Sequence, residues 1–442
     1  MPRRKKEEIP HEEIRKIKTP AIVDGMRDVL PADHKYWEFV EREIRKVIDG
    51  YSFLRIATPI LEKYELFNHT LFKQSGALEG EVFDFIDRGQ KLILRPENAA
   101  SIARAFISHN MANQPMPLKV YFWGPMFRQA RGEANKWRQF TQAGFEIIGE
   151  KAPAIDAELI IIASNIMKNL GLETEVRLNS VGCGICRLEY SKALSGYLKS
   201  KRAMLCQDCR RRIGRDPQHF LACQNNRCAR LKEDAPQTVD WLCDECRNHL
   251  FRVLEYLDEL KIPYQLDSTL LSTFGFYSKT IFEINANGER GEKISLASGG
   301  RFDNLLEMLS GPAMPGAGFA LGLERVIQQL KTAKAEVPNP AAPDVFLAQI
   351  SEQARQKAFA FFEELRRHNF SIKANLSKAN LKAQLEIAAK LGAKYVLILG
   401  QKEAMEGTVI LRDMESGIQE VVNRTKVVKE IQKRLRDNLL KL

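Results

Sequence analysis

The chain has 442 residues, 44% of them hydrophobic, and a net charge of +11. Single cores stop growing at roughly 250 to 300 residues, so two or three domains are expected. No stretch approaches the roughly 20 apolar residues that span a bilayer, and Met1–Glu8 is a charged run rather than a secretion signal, so the expectation is a cytoplasmic protein without a membrane partner. The excess of Lys and Arg favours an anionic partner.

Residues 1–24 read as a charged arm, too poor in large apolar residues to build a core. Trp37, Val40, Ile44 and Val47 then recur at helical spacing and predict a helix with one buried face. Short strands are expected over Phe53–Ala57, Val82–Asp87 and Lys91–Leu94, and Arg95-Pro96-Glu97 places Glu97 at a strand-to-helix corner before a helix starting near Asn98. The next stretch is the most informative. Tyr121–Phe127 delivers Arg128, and a polar loop leads to Gln139–Ile148, which predicts two long antiparallel strands. In the second strand, alternation puts Thr141, Ala143, Phe145 and Ile147 on a core face and Gln142, Gly144 and Glu146 on the other. Gly144, between an amide and a carboxylate, is expected to leave room for a small polar ligand, with the planar fork of Arg128 near enough to grip a phosphate.

A helix over Asp156–Leu170 and a strand over Glu175–Asn179 follow, and the domain resumes near Tyr264 after a cysteine-rich segment. Thr280–Ala286 and Lys293–Ala297 flank a hairpin turn, and Gly316–Arg325 leads into a helix. The resulting division is an α+β core over 25–180 and 262–333, an insertion over 181–261, a Pro- and Ala-rich linker over 334–343, and a separate domain over 344–442. In the last, strands Val345–Ile350, Ser371–Ala374 and Tyr395–Leu399 alternate with helices Glu352–Arg367 and Leu381–Leu391, which predicts a small, mostly parallel α/β sheet.

All eight cysteines fall in the insertion, as Cys183-x2-Cys186, Cys206-x2-Cys209, Cys223-x4-Cys228 and Cys243-x2-Cys246. A C-x-x-C turn presents two thiolates to one tetrahedral ion, so two structural Zn2+ sites are expected, the first pair joining the second and the third joining the fourth. Pairing of first with third and second with fourth also satisfies the spacing. Disulfides are disfavoured in a reducing compartment. Arg210, Arg211 and Arg212 directly follow the second pair and form a candidate patch for RNA phosphates.

Arg95-Pro96-Glu97, Gly124-Pro-Met-Phe-Arg128, Arg138-Gln-Phe-x-Gln142 and Gly318-Phe-Ala-Leu-Gly-Leu-Glu-Arg325 together resemble the histidyl-tRNA synthetases, a family of class II aminoacyl-tRNA synthetases, over Gly25 to about Arg434. The resemblance implies a homodimer on an antiparallel catalytic sheet, a zinc insertion near the tRNA acceptor arm and a C-terminal anticodon-binding domain. Its reaction is ATP- and Mg2+-dependent activation of histidine through histidyl-adenylate, then transfer to tRNA. By resemblance, Arg128 meets the ATP α-phosphate and Arg325 the γ-phosphate. Glu97 takes the histidine α-ammonium, and Gln142, Glu146 and Tyr277 line the amino-acid pocket. Arg131 lies beside the tRNA acceptor end.

The chain departs from the family at the reacting centre. Pro96-Glu97-Asn98-Ala99 stands where the family has proline-glutamate-glycine-threonine, Ala130 replaces a glutamate near the adenine, and Glu133 replaces a glutamine near the acceptor end. Ser272 occupies the position of an arginine that neutralises the α-phosphate during adenylate formation. Loss of one such preorganised group costs about 10² to 10³ in rate. Two further readings therefore accompany the ligase. One is a paralogue that binds histidine or tRNA without efficient ligation. The other is the regulatory subunit of ATP phosphoribosyltransferase, which normally lacks the C-terminal domain.

Overall fold

The structure, a computed structural model, describes residues 19–72, 78, 80–129, 137–272, 274–339, 341–377 and 380–439. Two compact units divide the chain, Met1–Val337 and Pro338–Leu442. The expected N-terminal arm therefore lies largely outside the described residues, as do Ala130, Arg131 and Glu133.

In the first unit the strands β1 (Leu54–Arg55), β2 (Leu61–Lys63), β3 (Asp84–Asp87) and β4 (Gln90–Leu94) precede the long hairpin of β5 (Leu118–Phe127) and β6 (Gln139–Ile148). Then come β7 (Glu175–Ser180), β8 (Tyr264–Leu266), β9 (Ser278–Asn287), β10 (Lys293–Arg301) and β11 (Gly316–Gly322). Eight of these form one sheet in the order β1-β5-β6-β11-β10-β9-β7-β8. Only the outer pairs, β1 with β5 and β7 with β8, run parallel. The sheet interior is antiparallel.

Alternation along β6 has the expected consequence on one face. Ala143, Phe145 and Ile147 join a core with Val40, Ile44 and Val47 of the helix His34–Tyr51 and with the apolar residues of Pro153–Asn169. Phe145 packs between Phe53 and Phe319, with ring centroids at 5.1 and 5.0 Å. Phe122, Met126 and Ile148 join a second core with Ile102 and Phe106 of the helix Ala99–Ser108. The functional cavity opens on this second side.

The insertion divides physically. Tyr190, Leu194, Phe220, Leu221 and Leu231 form a small core of their own with Cys206, Cys209 and Cys228. Its closing helix, Asp244–Glu259, instead buries Leu250, Val253 and Leu257, with Cys186 and Cys246, in the main core.

The second unit contains β12 (Val345–Gln349), β13 (Ile372–Ala374), β14 (Tyr395–Leu399), β15 (Thr408–Asp413) and β16 (Gln419–Asn423). Its sheet order is β13-β12-β14-β15-β16. The expected parallel part is present, but β14–β15 and β15–β16 are antiparallel, so the sheet is mixed rather than mostly parallel. Val409 and Leu411 alternate with less buried residues along β15, and this period of two is the signal that identifies the strand.

Candidate active site and cysteine groups

One cavity of about 460 Å³ gathers Glu97, Arg128, Gln142, Glu146, Tyr277 and Arg325, residues distant in sequence. Glu97 caps the helix Ala99–Ser108: its carboxylate oxygens accept from the backbone N–H groups of Ala99 and Ala100 at 2.6 and 3.0 Å. A carboxylate suits a helix N-terminus, where unpaired amides and the helix dipole favour negative charge. Burial nevertheless wins and raises Glu97 to about 7, despite those N–H donors and the nearby Arg128 and Arg95.

Glu146 is more isolated. It is 4% exposed, and its Oε2 has no hydrogen-bond partner among the described residues. Burial, with Glu97 as a second negative neighbour, pushes its carboxyl well above the ordinary range. A buried polar atom without a partner is costly, so this oxygen is poised for a donor that a ligand brings. Its space comes from Gly318, its register partner on β11: a Cβ there would fall 1.7 Å from Glu146 Oε2.

Gly144, by contrast, does not make room for a ligand. The Phe122 ring, directly opposite in register, fills that space, and a Cβ on Gly144 would meet it at 2.2 Å. The expectation assigned the opening to the wrong glycine, because alternation names the face of a strand but not the side chain that crosses from its neighbour.

Arg128 is oriented on three sides. Its Nε donates to the Pro96 carbonyl at 2.9 Å, and its guanidinium lies 5.1 Å from the centroid of Phe140 and 5.8 Å from that of Phe274. Removal from water lowers Arg128 to about 10, with Glu97 opposing and Arg325 reinforcing the shift. Arg325 lies in the first turn of the helix Leu323–Thr332 and donates to the Ser295 carbonyl at 3.1 Å. The adjacent Glu324 accepts the Thr141 N–H with both oxygens, at 2.7 and 2.9 Å, which ties this helix to β6.

Ser272 and Ala99 both line the cavity. The Ser272 hydroxyl is turned to the Phe274 carbonyl. Lys279 does not replace the missing positive charge, since its ammonium pairs with Glu245 at 2.9 Å, with Asp303 at 3.9 Å. Among the described residues lining the cavity, Arg128 and Arg325 are the Lys or Arg side chains. Asn98 belongs to the wall: its Oδ1 accepts from Thr58 Oγ1 at 2.6 Å and from Arg95 Nη1 at 3.2 Å. Arg95, unassigned from sequence, also donates to the carbonyls of Pro125 and Thr58 at 3.0 and 2.9 Å, and needs Gly124, whose Cβ would lie 2.4 Å from it.

The cysteines form two groups, Cys183, Cys186, Cys243 and Cys246, and Cys206, Cys209, Cys223 and Cys228, each with its sulfurs within 4.8 Å of one another. First therefore joins fourth and second joins third, a nested arrangement that corrects both expected pairings. Sulfur separations of 3.6 Å for Cys183–Cys186 and 3.8 Å for Cys206–Cys223 compare with the about 3.8 Å that tetrahedral Zn–S bonds dictate, so the donor sets fit zinc. The Cys209 N–H bonds Cys206 Sγ and, with help from the neighbouring thiols, lowers Cys206 to about 7. Burial instead raises Cys209 and Cys246.

The expected arginine patch is partly consumed within the module. Arg210 donates to the carbonyls of Leu205 and Ala203, and Arg212 pairs with Asp208 at 3.1 Å. Arg211 is exposed.

The family profile described as histidyl-tRNA synthetase matches residues 25–326, and that of an anticodon binding domain matches 344–434. A histidine–tRNA ligase of Syntrophotalea carbinolica is 39% identical over 402 residues, which cover 90% of this chain and 95% of the relative. One from Desulforamulus reducens is 37% identical over 406 residues, covering 91% and 97%. The apo histidyl-tRNA synthetase of S. aureus superposes with a TM-score of 0.78 at 31% identity, covering 93% of this chain and 99% of that one. Among the described residues, no helix is long and apolar enough to cross a membrane. With a mixed α/β class II synthetase fold and an anticodon-binding domain behind it, the chain belongs to the histidyl-tRNA synthetase family.

Proposed function

We propose that the chain is a histidine–tRNA ligase, acting as a homodimer, that activates histidine with ATP in this cavity and transfers it to tRNA. The observation that carries the reading is the convergence of Glu97, Gln142, Glu146 and Tyr277 with Arg128 and Arg325 on one cavity. Glu97 receives the α-ammonium, while Gln142, Glu146 and Tyr277 bracket the imidazole, whose N–H suits the unpartnered Glu146 oxygen. Arg128 holds the α-phosphate and Arg325 the γ-phosphate. The histidine carboxylate attacks the α-phosphorus, pyrophosphate leaves, and a terminal tRNA hydroxyl later takes the acyl group as AMP departs. Mg2+, where bound, would neutralise phosphate charge, and Glu81 and Glu283 of the cavity wall are the carboxylates that could hold it, Glu324 being engaged by the Thr141 N–H. The protein's contribution is positioning and electrostatics.

A second reading, histidine binding with slow ligation, rests on Ser272 and on the engagement of Lys279 with Glu245. Histidine-dependent ATP–pyrophosphate exchange separates the two. Ordinary turnover supports the ligase, whereas tight histidine binding without exchange leaves a binding protein. Under the ligase reading, Ser272→Arg is expected to raise exchange by less than the about 10² that one such group supplies, because Ala99 and Ala130 remain.

Transfer RNA is the second substrate, with the 344–434 domain, Arg131 and Arg211 as its contacts and affinity that falls with salt. Arg210 and Arg212 support this indirectly, through the shape of the module. Both cysteine groups hold structural Zn2+. Metal analysis of purified, reduced protein should return two zinc ions per chain, and a value near zero would remove the assignment.

A further inference from the structure

The cysteine group Cys183, Cys186, Cys243 and Cys246, the inner one in that it packs in the main core, is continuous with the wall of the amino-acid pocket. Arg187, the residue after Cys186, is half-buried, and its Nη1 donates to the carbonyls of Gly275 and Tyr277 at 3.2 and 3.3 Å. On the other side of the knuckle, Val181 donates its N–H to the Lys279 carbonyl at 2.8 Å, and the Lys279 N–H donates to the Gly182 carbonyl at 2.9 Å. Gly182 in turn has φ +66 and lies where a Cβ would meet Cys186 Cβ at 2.4 Å.

Tyr277 sits between these ties. Just beyond it, Lys279 has φ 49, a left-handed conformation that is unfavourable for lysine, and the pairing of β9 with β10 shifts register between Gly300 and Arg301. A register break beside a site re-aims the chain. Here it lets Tyr277 line the cavity while Lys279 reaches Glu245 on the helix that carries Cys246. On its other side, Tyr277 packs against Phe276 with ring centroids at 4.8 Å. The other group, Cys206, Cys209, Cys223 and Cys228, lies in the insertion's own small core, which meets the cavity wall through Leu271.

We infer that Arg187 is a positioning residue for the amino-acid pocket: it fastens the Tyr277 segment to the inner cysteine group, so that the metal state of that group sets histidine affinity. The inference rests on the histidine pocket proposed above. Guanidinium bonds to two carbonyls of an irregular segment are charge-assisted and stronger than neutral ones. A knuckle closed around an ion holds Cys186, and hence Arg187, at a fixed place. With the ion gone, Gly275–Tyr277 loses that anchor and the phenol is no longer held against the ligand.

A double-mutant cycle on the full chain tests this by calorimetric histidine affinity, with ATP affinity as the check on folding. Arg187→Leu should weaken histidine binding about tenfold, the scale of a lost hydrogen bond to a charged group. In a Tyr277→Phe background the same change should cost less than about twofold, because the group it positions is already absent. Arg187→Lys, which retains one cationic donor, should fall between. Cys243→Ser, which removes one inner ligand, should show the same dependence on Tyr277 as Arg187→Leu. Equal losses with and without the Tyr277 hydroxyl would overturn the inference, as would undiminished affinity in Arg187→Leu or Cys243→Ser. No histidine binding by the unmodified chain would instead remove the pocket itself.

Discussion

Replacing Arg128 with leucine is expected to lower histidine-dependent pyrophosphate exchange by about 10³ or more, the upper end for loss of one preorganised charge-stabilising group. The upper end applies because Ser272 supplies no second charge and Lys279 is engaged by Glu245. Charge develops on the α-phosphate in the transition state, so most of the loss should fall on turnover. Arg128→Lys should recover little. An ammonium cannot reproduce the planar fork that donates to Pro96 while lying between Phe140 and Phe274. A smaller part of the loss should appear in histidine affinity. Arg128 helps hold down the Glu97 carboxyl, so without it Glu97 takes up its proton more readily at neutral pH. That part should vanish when binding is measured at higher pH, and the turnover part should not. Exchange within tenfold of the unmodified chain would remove Arg128 from the reacting centre.

Much of this site was legible because its residues sit in strong local patterns. The long hairpin, Glu97 at its corner and Arg325 in a first helical turn each follow from apolar periodicity broken by a polar or glycine residue. What was misread depends on partners distant in sequence. Gly144 faces Phe122 and Gly318 faces Glu146 through strand register, which one strand's alternation cannot reveal. The nested cysteine pairing follows from the path of the insertion: its first and last pairs meet where the chain leaves and re-enters the main core, and spacing alone carries no such information. Arg210 and Arg212 read as a phosphate patch, but each had a local acceptor, which composition does not disclose. Arg187 carries no local signal for the same reason, since its acceptors are backbone carbonyls of a distant segment.

The buried carboxylate of Glu97 makes a further expectation, which a proton count tests. Burial raises both carboxyls, Glu97 to about 7, so near neutral pH the histidine-free pocket holds part of a proton on Glu97. The α-ammonium arrives charged and requires Glu97 ionised, so histidine binding should expel the Glu97 proton and tighten as pH rises from about 6 to 8. The comparison belongs at pH 7 and above, where the imidazole of free histidine is mostly neutral and its own deprotonation adds little to the count. Calorimetry at pH 7 in buffers of differing ionisation enthalpy should detect release of about half a proton per histidine, lost in Glu97→Gln. Stability follows the same sign. A carboxyl raised in the folded state stabilises the fold fully below its unfolded value, and that contribution is lost as pH rises to the folded value. For Glu97 the loss is about 3 kcal/mol between pH 4.5 and 7. The melting temperature of the histidine-free protein should thus fall across that window relative to Glu97→Gln, and saturating histidine should reverse the fall. Affinity that is flat or decreasing from pH 6 to 8, or proton release at pH 7 that survives Glu97→Gln, would separate Glu97 from the ammonium.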